Sequence, residues 1–263
     1  MNFSRAKSYL IVLFVIVNLF LIYNLFIMSD SDRISAETVD NTIKILANKN
    51  ITISKDIIKT SPETMFYLNL KNPFAEKKAF TESLNGKCTI SEEGFEFVPE
   101  DKNLNFKYLL PSYDAAKQAL SHFKDNGLDV KYTKCVGTLD MGEGVYKASF
   151  IQSFEGHDLY NTNIDIYYKE GSVINSYGVY YEIASFSVPD ERIKTPTEVL
   201  IRFSNDFNEK CTIKSIESGY YTEPFKNEYS MISAVPCFMI TIDNGNKYYY
   251  DAISASLLKI DEF

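Results

Sequence analysis

The stretch 145–183, VYKASFIQSFEGHDLYNTNIDIYYKEGSVINSYGVYYEI, decides the fold. It breaks into three strand-length runs, 145–154, 159–168 and 173–183. Between them stand Glu155-Gly156-His157-Asp158 and Lys169-Glu170-Gly171-Ser172, each with the glycine that a tight reversal needs. A fourth run, 128–136, precedes them and leads to the turn Met141-Gly142-Glu143-Gly144. This order predicts an antiparallel meander. The Gly-x-Gly-like spots are hairpin turns rather than phosphate loops, because no strand-loop-helix order surrounds them.

Outward from the meander the pattern repeats. Ser112 is an N-cap for a helix over 113–124 that stops at Asn126-Gly127 and feeds the meander. Thr195 opens a helix over 197–208, with Val199, Leu200, Phe203 and Phe207 inward. Strands near 211–221, 229–243 and 247–252 follow it, with Asp243-Asn244-Gly245-Asn246 as a hairpin turn. Ser35 caps a third helix over 36–48 with Val39, Ile43 and Leu46 on one face, and 51–53 then alternates like a strand. Segment 54–110 reads as a strand over 65–70, a short helix over 75–84 and strands near 87–90, 95–98 and 106–109, with a turn at Ser61-Pro62.

At the start of the chain, 9–28 (YLIVLFVIVNLFLIYNLFIM) has no charge, proline or glycine. A helix of about 20 such residues matches the roughly 30 Å apolar core of a bilayer. We expect an uncleaved transmembrane anchor, since no small-x-small cleavage site follows Met28. Arg5 and Lys7 set the topology, with the tail 1–8 cytoplasmic and 29–263 outside. Asn18 sits at mid-span, where an unpaired amide is costly, and Phe14, Asn18, Leu21, Ile22 and Leu25 share a helical face. That face is the expected contact with a partner's helix. The expected fold class is thus α+β: a single transmembrane helix, then an ectodomain of repeated helix plus antiparallel meander units. Its domains run 1–8, 9–28, 29–110 and 111–263.

Composition narrows the function. Of 27 Lys and Arg, two precede Met28, leaving 25 against 35 Asp and Glu, a net −10 for the ectodomain. This repels nucleic acid and other polyanions. The 19 Tyr and 19 Phe with no Trp suit strands. Tyr180-Tyr181 and Tyr248-Tyr249-Tyr250 read as two-sided strands rather than sugar platforms. Cys88, Cys135, Cys211 and Cys237 lack CxxC spacing, so no metal site is expected. They read as buried apolar residues, with a Cys211–Cys237 bridge as the alternative. His122 and His157 have no nucleophile signature nearby, and the paired carboxylates Glu92-Glu93 and Asp261-Glu262 define no cleft. No enzyme, cofactor or catalytic residue is expected.

The opening Met1-Asn2-Phe3-Ser4-Arg5-Ala6-Lys7 running into the apolar stretch resembles the YycI family, which begins with a short aromatic-basic tail of this form. Residues 213–221 (IKSIESGYY), Val235-Pro236-Cys237-Phe238 and 248–252 are similar to that family's C-terminal block, with Cys237 where the family usually has Trp. Phe154-Glu155-Gly156, Tyr160 and 164–167 are compatible with its middle. The resemblance implies a membrane-anchored accessory protein of Gram-positive bacteria. It would modulate the sensor histidine kinase of the two-component system controlling the cell wall, together with a YycH-like companion. The alternative is an anchored, non-catalytic ectodomain that binds a wall or peptide ligand.

Overall fold

In a computed structural model, describing residues 3–31, 34–60, 63–73, 82–91, 94–101, 111–128, 130–170, 172–222 and 231–262, the central stretch forms its meander. Strands β5 (Thr133–Gly142), β6 (Val145–Phe154), β7 (His157–Lys169) and β8 (Ser172–Val179) are antiparallel in sequence order. Glu143-Gly144 and Glu155-Gly156 hold paired positive φ values, 54° and 74°, then 49° and 85°. This left-handed pair matches the right-handed twist of the flanking strands. The meander is widened by a hairpin, β3 (Gly86–Ser91) and β4 (Gly94–Pro99), with β4 on β8. Helix α3 (Tyr113–Asp125), capped by Ser112 through the Ala115 N–H, lies on this half. Its Ala115, Ala116, Ala119 and Phe123 are fully buried with Phe97, Phe150 and Ile166. Small side chains on the buried side let the helix approach closely while Phe123 fills the remaining space.

The other half is built likewise. Helix α4 (Pro196–Asp206) has a full capping box, Thr195 and Glu198 each serving the other's backbone N–H. Strands β10 (Cys211–Thr222), β11 (Met231–Ile242), β12 (Lys247–Asp251) and β13 (Leu257–Asp261) form a second antiparallel meander. Helix α2 (Ala36–Asn48), capped by Ser35, buries Val39 and Leu46 in the same core as Val199, Leu200 and Phe203 of α4. Lys49 ties the two helices by donating to Ser204 O and Asn205 Oδ1, at 2.8 and 2.6 Å.

The expected fold class is corrected in two respects. First, the meanders are not separate antiparallel units but parts of one mixed sheet, of 13 strands among the described residues. Two parallel pairings make it so: β1 (Ile51–Ile53) runs beside β10 with Ile51 opposite Cys211, and Gly219–Tyr221 of β10 run beside Asp158–Tyr160 of β7. Strand β2 (Tyr67–Lys71) joins β11 to β9 (Glu182–Ser187), both antiparallel. Second, among the described residues no helix is long and apolar enough to cross a membrane. Helix α1 runs Phe3–Ser31, and its described side chains are Lys7 and the row 9–22.

One expected strand, 173–183, is two. It breaks between β8 and β9, where the buried Gln152 side chain takes over the backbone pairing: its amide donates to Tyr181 O at 2.7 Å and accepts from Tyr181 N at 2.9 Å. The run expected from 128 starts later, at Thr133, because Leu128 and Val130 are buried against α3 instead of paired. Strand β13 had no counterpart in the sequence reading. The strand expected over 106–109, the turn Ser61-Pro62 and most of the helix over 75–84 lie outside the described residues.

Candidate functional site

The expected contact face is on α1. Phe14, Leu21 and Ile22 are 68%, 53% and 49% exposed, and none of the described side chains on this helix is buried. The large apolar residues from Tyr9 to Ile22 are all between 45% and 75% exposed. Asn18 donates from Nδ2 to Phe14 O at 2.8 Å, one turn back. One amide N–H is thus satisfied within the helix, while the carbonyl oxygen and second N–H remain for another group. Lys7 is exposed. The side chains of Arg5 and Leu25 lie outside the described ones.

A second site lies where β7 meets β10, and no local motif announced it. The Glu155-Gly156 turn delivers His157 to the start of β7, and strand alternation in β10 puts Ser218 and Tyr220 on the same face of the strand. His157 Nδ1 stands 3.1 Å from Ser218 Oγ, and Nε2 stands 3.7 Å from Glu63 Oε2. The ring meets Tyr220 edge to face at 6.1 Å. Burial pushes the Tyr220 phenol up to about 12, which keeps it neutral. Lys59 reaches Glu63 at 3.3 Å, and Lys134 grips both oxygens of Asp158 at 2.6 and 2.8 Å. His157, Ser218, Glu63, Lys59, Lys134 and Asp158 line an open cavity of about 310 Å³. Next to it Phe66, Phe154 and Phe186 pack ring to ring at 5.2 to 6.2 Å, with Phe186 56% exposed.

The remaining candidates fall to structural roles. His122 sits in the last turn of α3, where Nε2 is 2.7 Å from Asp101 O. Tyr248 and Tyr250 enter the core under α2 and α4, while Tyr249 joins Tyr160 and Tyr221 on the opposite side of the sheet. Tyr180 and Tyr181 likewise belong to two different cores. All four cysteines are free, and Cys211 and Cys237 lie in separate clusters. Burial raises Cys88 and Cys211 to about 11. Glu92 and Glu93 lie outside the described residues, and Asp261 pairs with Lys259 at 2.7 Å. Among the described residues no three His, Cys, Asp or Glu side chains are grouped to hold a metal ion.

No protein-family model matches the chain, and no curated protein matches it. Among solved structures, the chain is similar to the crystal structure of an uncharacterized protein from Eubacterium rectale, at 9% identity over 84% of this chain and 99% of that one, with a TM-score of 0.42.

Proposed function

We propose that this chain is an accessory regulator acting by contact at the cell membrane, with its sheet outside the cytoplasm and α1 as its docking element. The supporting observation is the row of apolar side chains from Tyr9 to Ile22, exposed around α1. A helix that is apolar all round is stable only when something apolar covers it. The partners in this reading are a sensor histidine kinase and a YycH-like companion, which follows from the resemblance of the chain's two ends to the YycI family. The contact runs along Phe14, Asn18, Leu21, Ile22 and Leu25. Regulation of this kind asks for no turnover.

Co-purification of the full chain with the kinase tests it. Truncating Phe14, Leu21 and Ile22 together to Ala removes contacts of about 1–2 kcal/mol each at an interface centre, so association should fall at least about tenfold. Truncating Leu13, Ile16 and Phe20 on the other side should leave it nearly unchanged. Equal retention by both triple variants would remove the assigned face.

A further inference from the structure

Three chain segments converge on the cleft at the β7–β10 junction and bring a hydroxyl, an imidazole and a carboxylate together. We propose that Ser218 is a nucleophile for acyl groups, with His157 as its base and Glu63, 3.7 Å from Nε2, as the carboxylate that stabilises the imidazolium formed when the base takes the proton. This goes beyond the contact reading and rests on different residues. A proton on Nε2 facing Glu63 leaves the Nδ1 lone pair to accept from the Ser218 hydroxyl 3.1 Å away. The base is therefore Nδ1.

Burial supports the assignment. Ser218 is 9% exposed, and the side chains of His157 and Glu63 are 11% and 16% exposed. They are largely buried yet border the open cavity of about 310 Å³, room for a small substrate. Lys59 and Lys134 line that cavity together with Glu63, Glu155, Asp158 and Glu217. This charged lining suits a small polar ester or peptide rather than a lipid.

The step balances as hydrolysis with water as co-reactant. Ser218 Oγ attacks the carbonyl carbon, and its proton passes to His157 Nδ1 as the O–C bond forms. The bond to the leaving alcohol or amine then breaks, and Nδ1 returns the proton to it. Water attacks the acyl-serine in the same way, giving up a proton through Nδ1, releasing a carboxylic acid and restoring the hydroxyl.

A fluorophosphonate ester probes the first half of this sequence. Its P–F bond breaks as the Oγ–P bond forms, fluoride leaves, and the hydroxyl proton goes to His157. The full chain should acquire one adduct by intact mass, mapped to Ser218 by peptide sequencing and absent from Ser218→Ala. His157→Gln should slow labelling at least about a hundredfold, the usual contribution of a general base. Glu63→Gln should slow it several-fold while the melting temperature stays that of the native chain, which separates loss of the base from loss of the fold. An unlabelled native chain, an adduct on another serine, or labelling of His157→Gln at the native rate overturns the proposal.

Discussion

Gly219→Ala should separate the two halves of the sheet. A Cβ at this position would lie 2.4 Å from Tyr160 Cε2 and 2.6 Å from Asp158 O, where ordinary contacts are at least 3.4 Å. One obstacle is backbone, and it belongs to the residue that Gly219 faces across the parallel β7–β10 pairing. The other is the ring of Tyr160, which is 6% exposed and packs on Tyr249 at 5.4 Å. Neither moves without disturbing the three residue pairs that join the strands. Overpacking of this kind costs about 1–3 kcal/mol. Weakening one or two ladder hydrogen bonds adds about 1 kcal/mol, for a loss of about 2–4 kcal/mol. At a urea slope of about 2–3 kcal/mol/M, the unfolding midpoint should fall by about 1 M. Gly137→Ala is the control: nothing lies within 4 Å of its added Cβ, so its midpoint should hold or rise slightly. Equal midpoints for the two variants would refute the claim that the junction is a tight, continuous pairing.

Two further outcomes follow from the cores and caps. Phe123→Ala removes a fully buried ring that meets Phe97 edge to face at 5.3 Å, at a cost of about 3–5 kcal/mol, and calorimetry should show a melting temperature lower by about 6–20 °C. Glu198 is held down from its ordinary 4.5 to about 2, first by the hydrogen bonds from Arg192, against the opposing effect of burial, and then by the Thr195 backbone N–H. Because the folded value is the lower one, its stabilisation is present above about pH 4.5 and is lost as pH falls toward 2. With the pair substantially exposed, solvent screening reduces this to about 1 kcal/mol. The stability gap between native and Glu198→Gln should therefore be about 1 kcal/mol at pH 6 and close near pH 2, and a gap that is constant across this range would contradict the assignment.

Features set by neighbours in sequence were legible. Ser35, Ser112 and Thr195 each cap the helix they precede, because an N-cap needs only an oxygen and the next three N–H groups. The bounds of β6 follow from its alternation and the turns at Gly144 and Gly156. Pairings between distant segments were not legible: nothing near Ile51 tells of Cys211, and nothing near Asp158 tells of Gly219. The same distance hid the cleft, since His157 and Ser218 are 61 residues apart and each alone is ordinary. The break at Tyr180-Tyr181 depends on the amide of Gln152, a residue that reads as a normal member of β6. The apolar run at the chain start was read from its length and its lack of charge, proline and glycine, and among the described residues no helix is long and apolar enough to cross a membrane.

The contact account is tested most directly by photo-crosslinking in cells, with a diazirine amino acid placed singly at positions 14, 18 and 21 of α1, or at 13, 16 and 20 on its other side. The account predicts adducts with the sensor kinase from the first three positions and several-fold weaker ones from the second three. Adducts of equal yield from all six, or none from any, would contradict a directed contact through the face that holds Asn18.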